Sequence, residues 1–269
     1  MIEVRWYDGS DPPDSHFHTG FELLYIQSGC VHIRVAGREY EASAPACVFF
    51  SNLEPHALSQ AGPDYARYTV LLSPEEATAA LKNPLLLSAF RNRPKDFCHV
   101  MQCEGRAPEG YLEAMLRESE REDGFREGCL QSLFYLLLAA LYRQTPDFFP
   151  LARHACSDSI LAVQQYLDEH FRENLSVQEV ARQFFISPGY LQHRFTELVG
   201  CSPKQYLILS RLSAAQRMLL TTRLTVAEIA GECGFAEANN FIRRFSAHFG
   251  ETPAQYRRNQ AEQVRKERP

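Results

Sequence analysis

A seven-residue pattern that occurs twice constrains the C-terminal half of this chain more than any other feature. Leu175–Ala181 (LSVQEVA) aligns with Leu224–Ala230 (LTVAEIA) at an offset of 49 residues. The match continues at an offset of 50 in five pairs: Phe195 and Phe245, Gly200 and Gly250, Pro203 and Pro253, Gln205 and Gln255, and Tyr206 and Tyr256. The repeat indicates one supersecondary unit that is used twice.

Each copy begins with a pattern that starts a helix. In a capping box, a hydroxyl and a carboxylate three residues later satisfy each other's free backbone N–H groups. Both copies have one: Ser176 with Glu179, and Thr225 with Glu228. A short helix of about two turns, a tight turn and a second helix follow. The sequence therefore predicts two helix-turn-helix units, at 175–198 and 224–248.

The second helix of each copy has an apolar stripe and a polar face. The stripes are Leu191, Phe195 and Leu198 in one copy and Phe241, Phe245 and Phe249 in the other. The polar faces carry Gln192, His193 and Thr196, and Asn239, Arg243 and Ser246. Gln and Asn can form two hydrogen bonds to adenine, and Arg to guanine, so these residue types suit a helix that reads a major groove. The alternative is an ordinary solvent-exposed face, and the duplication favours DNA reading.

A long helix is predicted between the two copies, from Pro203 to about Thr221. At 1.5 Å per residue it would span roughly 28 Å. Successive major grooves on one side of a duplex are roughly 34 Å apart. One chain could therefore place two reading helices in adjacent grooves and recognise an asymmetric site.

Residues from about 158 to 258 resemble the AraC/XylS family of transcription regulators. The resemblance rests on Ala230, Gly234-Phe235, Phe241-Ile242-Arg243-Arg244-Phe245 and the run from Gly250 to Arg257. It implies a seven-helix DNA-binding domain at 158–269, with Ile160–Phe171 as its first helix. It also implies double-stranded DNA as the partner.

The resemblance further implies which side chains read bases. The family's base-reading positions fall on Gln192, His193, Asn239, Ile242 and Arg243. His193 stands where Arg is usual, and Asn239-Asn240 stands where Ser-Tyr is frequent. The family's target sequences are therefore not transferable to this chain.

The net charge of −5 is divided unevenly along the chain. Residues 1–157 carry 14 basic and 21 acidic residues, whereas residues 158–269 carry 14 and 12, so their net charges are −7 and +2. The more positive C-terminal half permits contact with phosphates, although so small a charge does not demonstrate it.

The first third of the chain is predicted to be strands. Glu22–Ile26, Val31–Val35 and Cys47–Phe50 are short β-branched or aromatic runs with turn-like residues between them. Val31–Val35 alternates apolar and polar residues, as a strand with one buried face does. We predict a small antiparallel barrel or sandwich at 1–72, and hence an α+β multidomain protein with this β-domain in front and an all-α domain behind.

A helical segment is predicted at 73–145. A proline with adjacent acids follows Ser73, and Tyr111 to about Glu122 has helical periodicity. Leu130 to Arg143 is apolar nearly all round, so one face should meet the barrel and the other a second subunit of a homodimer. A helix fully buried within one chain is the alternative. The proline-rich stretch 146–157 is predicted to be a linker.

Histidines in the barrel form a possible ligand site. The spacing His16-x-His18-x3-Glu22-x6-Gly29 resembles the first metal motif of cupin barrels, and this resemblance implies a cupin-like β-barrel at 1–72 that senses a ligand. With His56, these residues would supply three imidazoles and one carboxylate, a suitable set for a divalent transition metal. The second cupin motif is degraded around His56, because Ser51, Leu53 and Gln60 replace its Pro, Gly and Asn.

Three interpretations of this cluster stay open. The histidines can hydrogen-bond a small effector without metal, hold a metal, or simply be satisfied at the barrel edge. No cofactor is required under the first or third. The predicted effector-binding set is His16, His18, Glu22, Tyr25 and His56.

Eight scattered cysteines without a C-x-x-C pair predict reduced structural thiols. The N-terminus lacks the pattern of a secretory signal, and the longest apolar run, Leu133–Tyr142, is roughly half of what a bilayer needs. We therefore expect a cytoplasmic protein without membrane contact.

The predicted function is a sequence-specific transcription regulator that a small-molecule effector in the barrel controls. One alternative is a metal-dependent cupin enzyme, an isomerase or dioxygenase, with a helical appendage. Another is an interaction module that docks through the helix at Leu130–Tyr142. Neither alternative accounts for the repeat, so we predict no catalytic residues.

Overall fold

The protein is described by a computed structural model that divides into two compact units, with the boundary in the chain at about residue 155. The residues described are 2–8, 15–16, 20–35, 37–51, 54, 56–59, 62, 64–153 and 158–266. No helix in these ranges is both long and apolar enough to cross a bilayer.

The first unit is built on two antiparallel sheets. One has the strand order β1-β8-β3-β6-β9, and the other has the order β2-β7-β4-β5. The strands within the described residues are β1 (Glu3–Tyr7), β2 (Ser15–His16), β3 (Phe21–Ser28), β4 (Cys30–Val35), β5 (Arg38–Ser43), β6 (Ala46–Phe50), β7 (His56–Ser59), β8 (Ala66–Leu72) and β9 (Val100–Gln102). The predicted β-rich front domain is therefore present as two antiparallel sheets, and β8, the strand before the helices, ends at Leu72.

The five-stranded sheet is covered on both faces. Leu24 and Ile26 of β3 pack with residues of the four-stranded sheet in the inner core of the barrel. Leu23 and Tyr25 belong to a second core that includes helical residues. A strand buried on both faces reads as an uninterrupted apolar run, which explains why ELLYI does not alternate.

The helices of the first unit cover the outer face of this sheet. They are α1 (Pro74–Ala80), α2 (Pro84–Arg91), α3 (Ala107–Ser119), α4 (Arg126–Gln144) and α5 (Pro150–Arg153), with a 3-10 turn at Pro146–Phe148. Ser73 and Glu76 form a complete capping box at the start of α1, as the acids after Ser73 suggested. α4 buries one face in the outer core and exposes Tyr135 and Leu136.

Two segments differ from the prediction. The segment predicted to be helical contains β9, which pairs with β6 and completes the edge of the sheet. The predicted linker contains Phe148 and Phe149, which are buried in the outer core, with the Phe148 ring 4.9 Å from that of Phe49. Pro146 does end α4, but burial of the two aromatic rings holds the chain on the first unit up to Leu151. Residues 154–157 lie outside the described residues.

The second unit contains seven helices within the described residues, the number that the family resemblance implied. They are α6 (Asp158–Glu169), α7 (Val177–Gln183), α8 (Pro188–Val199), α9 (Pro203–Thr221), α10 (Val226–Glu232), α11 (Ala238–Phe249) and α12 (Pro253–Lys266). Both predicted capping boxes are present at α7 and α10. The predicted helix at Pro203–Thr221 is confirmed with the same bounds.

Two arginines fix the chain where it enters each helix-turn-helix unit. Arg211 of α9 donates to the carbonyl oxygens of Phe171 and Glu173, both at 2.7 Å, just before α7. Arg257 of α12 donates to Leu219 at 3.0 Å and Leu224 at 2.7 Å, just before α10. A guanidinium at a helix C-terminus satisfies carbonyl oxygens that have no partner within the helix. Each helix-turn-helix unit is thus anchored at its start by a helix that follows it in sequence.

Candidate nucleic-acid interface and effector pocket

The predicted reading helix of the first copy is α8. Ser187 accepts a hydrogen bond from the backbone N–H of Tyr190 at 3.2 Å and so starts the helix. Leu191 and Phe195 are fully buried, which fixes the rotation of α8 on its unit. Gln192 and His193 are consequently exposed, as predicted, and the side chain of His193 is 79% exposed.

The predicted reading helix of the second copy is α11. Its three phenylalanines, Phe241, Phe245 and Phe249, form the buried stripe, with successive ring centroids 5.6 and 4.2 Å apart. The opposite face exposes Asn239 and Arg243, whereas Ile242 is half-buried. Asn240 accepts hydrogen bonds from Arg243 at 3.5 Å and from Arg244 at 3.0 Å. Both amide and guanidinium chemistry is therefore available on this face.

Gln192 also borders a concave surface of the second unit. The cavity has a volume of about 590 Å³ and is lined by the end of α6, the start of α7 and the starts of α8 and α9. Its polar lining residues include Ser176, Gln178, Gln192 and Lys204. Sequence reasoning missed Lys204, although its place in the first turn after Pro203 was a visible signal.

The turn of each helix-turn-helix unit requires a left-handed backbone. Phe185 has φ of 55° in the first copy, and Gly234, 49 residues later, has φ of 79°. A bulky residue in this region is an outlier. The side chain of Phe185 avoids a clash because it is 97% exposed, whereas a Cβ at Gly234 would lie 2.5 Å from the carbonyl oxygen of Arg172.

Glu22 and His56 meet inside the barrel. The carboxylate Oε2 of Glu22 lies 3.0 Å from Nε2 of His56, and both side chains are almost completely buried. Nδ1 of His56 lies 2.9 Å from the carbonyl oxygen of Glu54, which can only accept, so Nδ1 is the donor in this contact. The ring of Phe50 stacks on the imidazole at 3.8 Å.

The remaining predicted effector residues have different outcomes. The backbone of His16 pairs with that of His56 across β2 and β7, but the side chain of His16 and all of His18 lie outside the described residues. Tyr25 lies on the outer face of β3 and donates to Glu109 at 3.1 Å. The structure therefore brings together Glu22 and His56 and does not bring Tyr25 to them. The sequence could have shown this, because Glu22 and Tyr25 are three residues apart and residues three apart on a strand face opposite sides.

The metal interpretation stays a prediction. Within the described ranges, no group of three or more His, Cys, Asp or Glu residues is placed to hold a metal ion. The two histidines that would complete the set with Glu22 and His56 have side chains outside those ranges.

A second buried polar network adjoins this pair and was missed by sequence reasoning. Glu54 accepts from Nε of Arg93 at 3.2 Å and from Nε2 of His99 at 3.0 Å. Tyr40 lies 3.3 Å from Nδ1 of His99, and the Arg93 guanidinium covers the ring of Phe97 at 4.3 Å. Burial by itself raises the pKa of Glu54, but the Arg93 charge and the hydrogen bond from His99 outweigh it and lower the pKa to about 2.

Acid should therefore weaken the first unit through Glu54. A carboxyl whose folded pKa lies below its unfolded pKa stabilises the protein above the unfolded value and loses this contribution as the pH falls toward the folded value. We expect the unfolding temperature to fall from pH 5 to pH 3 in the wild type and to fall less in Glu54→Gln, as measured by circular dichroism. Glu39→Gln, which removes an exposed partner of Arg34, should keep the wild-type profile. Equal profiles for wild type and Glu54→Gln would contradict the role of Glu54.

Comparisons with known proteins agree with both units. An AraC-like ligand-binding domain model matches residues 7–138, and a helix-turn-helix domain model matches residues 180–259. YdiP of Escherichia coli, an uncharacterized transcriptional regulator of the helix-turn-helix type, is 33% identical over 266 residues, covering 95% of this chain and 83% of YdiP. The chain belongs to the AraC family of transcription regulators.

Other AraC-family relatives match over shorter regions. YijO of Escherichia coli is 36% identical over 103 residues, which cover 38% of this chain and 36% of YijO. The lactose operon transcription activator of Staphylococcus xylosus is 23% identical over 142 residues, and the match spans about half of that protein. Much of the similarity to these relatives therefore covers only a part of each.

The crystal structure of apo ToxT from Vibrio cholerae has the same fold. It superposes with a TM-score of 0.60 at 11% identity, and the match covers 95% of this chain and 96% of ToxT. The predicted fold class, an α+β chain with a sensor barrel in front of a helix-turn-helix domain, is thus confirmed. The metal-dependent enzyme and the docking module find no support in YdiP, YijO and the lactose operon activator, which are named as transcription regulators.

Proposed function

We propose that this AraC-family regulator reads one asymmetric site in double-stranded DNA with α8 and α11. One observation carries the proposal: two repeated helices each bury an apolar stripe and expose side chains suited to base edges. The set is Gln192, His193, Asn239 and Arg243, with the half-buried Ile242 available for apolar contact with a thymine methyl group. No catalytic role is proposed for any residue.

The helix α9 supports reading of two grooves by one chain. It joins the two helix-turn-helix units directly and has 19 residues, so it is about 28 Å long. This length is close to the separation of roughly 34 Å between successive major grooves on one side of a duplex.

Lys204 supports a phosphate contact beside α8. It shares the concave surface of Gln192, so an ammonium group is available close to a side chain that we place in the groove. Contacts to phosphates position a protein on DNA and make its affinity fall with salt.

We propose that a small-molecule effector binds inside the barrel, near Glu22 and His56. The match to a ligand-binding domain and the buried polar groups of the inner face support this. One solved ToxT structure contains an unsaturated fatty acid, so a protein of this fold can bind a small molecule. The predicted contributions of His16, His18 and a possible divalent metal remain part of the proposal, with no cofactor required.

The exposed face of α4 supports a homodimer. Tyr135 and Leu136 are 39% and 47% exposed next to small residues on a helix whose other face is buried. A charge there would oppose burial in an interface. We expect Leu136→Glu to convert a dimer to a monomer in light scattering after gel filtration. Leu220→Glu, at an equally exposed leucine of α9, should leave the mass unchanged. A wild-type protein that is already monomeric would contradict the interface.

The test of the DNA-reading function is selection of a random duplex library on the full-length protein, followed by binding of the enriched duplex at several salt concentrations. We expect an enriched site with two short blocks about one helical turn apart and an affinity that falls steeply with salt. No enrichment with the full-length protein, at any salt concentration and with or without candidate effectors, would contradict the proposal. A DNA-reading role also supports the predicted cytoplasmic location.

A further inference from the structure

Arg67 occupies the inner face of the barrel. It lies on β8, directly opposite Ile26 of β3 and Tyr7 of β1. Side chains alternate between the two faces along β8, and Tyr68 and Val70 belong to the outer core. Arg67 therefore points to the opposite face, toward the four-stranded sheet. Only 6% of the residue is exposed to solvent.

The guanidinium of Arg67 has aromatic neighbours. Its central carbon lies 4.4 Å from the centre of the Tyr7 ring, and Nη1 donates to the hydroxyl of Tyr65 at 3.3 Å. Among the described residues, Nε of Arg67 has no hydrogen-bond partner, and Oγ1 of Thr69 on the same face of β8 has none either. Glu22, an acid on the same inner face, is already paired with His56.

A buried cation without an anion is costly to maintain. Desolvation of an unpaired charge costs far more than a cation–π contact returns, and buried polar atoms in folded proteins nearly always have partners. A guanidinium presents its N–H groups as a fork that fits the two oxygens of a carboxylate. The hydroxyl of Thr69, two residues away on the same face, can donate a further hydrogen bond.

This inference rests on the proposed effector function of the barrel. We propose that Arg67 and Thr69 bind a carboxylate of the effector, so that the effector is a monocarboxylate with an apolar body. One guanidinium balances one carboxylate, whereas a doubly charged phosphate would leave a negative charge buried beside Glu22. Leu24, Ile26 and Tyr65 of the inner core supply the apolar surface for the rest of the molecule.

The experiment uses the full-length protein and matched probes. Sodium octanoate and sodium benzoate are compared with 1-octanol, benzyl alcohol and inorganic phosphate at equal ionic strength, by calorimetric titration. We expect a carboxylate to bind more tightly than its alcohol and than phosphate. In Arg67→Gln its affinity should fall about tenfold to a hundredfold, because charge-assisted hydrogen bonds are lost, while that of the alcohol stays the same.

The control variant is Arg34→Gln on β4 of the other sheet, because Arg34 is exposed and paired with Glu39. It should keep the wild-type affinity for the carboxylate. Failure of both carboxylates to bind the wild type, equal affinity in Arg67→Gln, or phosphate binding as tight as carboxylate binding would each overturn the assignment.

A second measurement does not depend on the choice of probe. If the partner of Arg67 is an effector, removing the charge should leave the unfolding temperature of the ligand-free protein unchanged or raise it in Arg67→Met. A fall of more than about 5 °C would show that contacts within the chain already stabilise the charge of Arg67, and would overturn the proposal. The DNA selection is independent: carboxylate binding without an enriched DNA site would refute the regulator and leave this site intact, and the reverse result would refute only this site.

Discussion

Arg243→Ala should weaken binding to the selected DNA site by about 1 to 3 kcal/mol, which is about fivefold to 150-fold, and should relax the preference at one base pair. Arg243 is exposed on the polar face of α11, while the opposite face is fixed by three buried phenylalanines. A guanidinium held in this way can donate two hydrogen bonds to guanine. Fluorescence anisotropy with the selected duplex and with single-base variants of it measures both effects.

The matched control for this variant is Arg117→Ala. Arg117 is an exposed arginine on α3 in the first unit, so its removal changes the net charge of the protein by the same amount. It should leave specific affinity nearly unchanged. An equal loss of affinity of Arg243→Ala for random DNA would mean that Arg243 contacts only phosphates.

Gly234→Ala should destabilise the second unit by about 2 to 5 kcal/mol. Its φ of 79° is a conformation that costs an L-residue about 1 to 2 kcal/mol. An added Cβ would also lie 2.5 Å from the carbonyl oxygen of Arg172, which belongs to the backbone and cannot rotate away. The displacement needed adds about 1 to 3 kcal/mol, as overpacking does elsewhere. Urea unfolding followed by the helical circular dichroism signal measures the loss.

Gly250→Ala separates the two contributions to this loss. Gly250 ends α11 with φ of 77°, but no atom lies within 4 Å of the place where its Cβ would be. We expect a loss of about 1 to 2 kcal/mol, from backbone strain alone. If the two glycine variants lost the same stability, the close approach of Arg172 to Gly234 would have no energetic role.

The second unit was predictable because its signals are local. Capping boxes, a repeat and an apolar stripe all lie within a few turns of one helix, and α9 was predicted with its observed bounds. The left-handed turn could be predicted from the sequence in the second copy only. Gly234 signals it directly, whereas Phe185 satisfies the same backbone requirement with a residue that sequence rules exclude.

The first unit was harder because its decisive contacts are distant in sequence. β9 has three residues and is a strand only because β6, more than 50 residues earlier, offers it a pairing edge. Pro146 correctly predicts the end of α4, but the burial of Phe148 against Phe49 depends on tertiary packing. Glu54 likewise gains Arg93 and His99 from about 40 residues away. A single sequence has no local pattern for such partners.

The continuous helix α9 makes the two reading helices inseparable in register. Each residue inserted into an α-helix advances it by 1.5 Å and turns it by about 100°. One base pair inserted into DNA turns the two halves of a site by about 34° relative to each other. A short insertion in α9 and a short insertion in the DNA change the distance and the angle between the two halves by different amounts, so one does not compensate for the other. We therefore expect the length of α9 and the spacer of the operator to change only together and in large steps. If α8 and α11 read adjacent grooves as proposed, the length of α9 sets the spacing of the target, and the exposed side chains of α8 and α11 set the sequence preference.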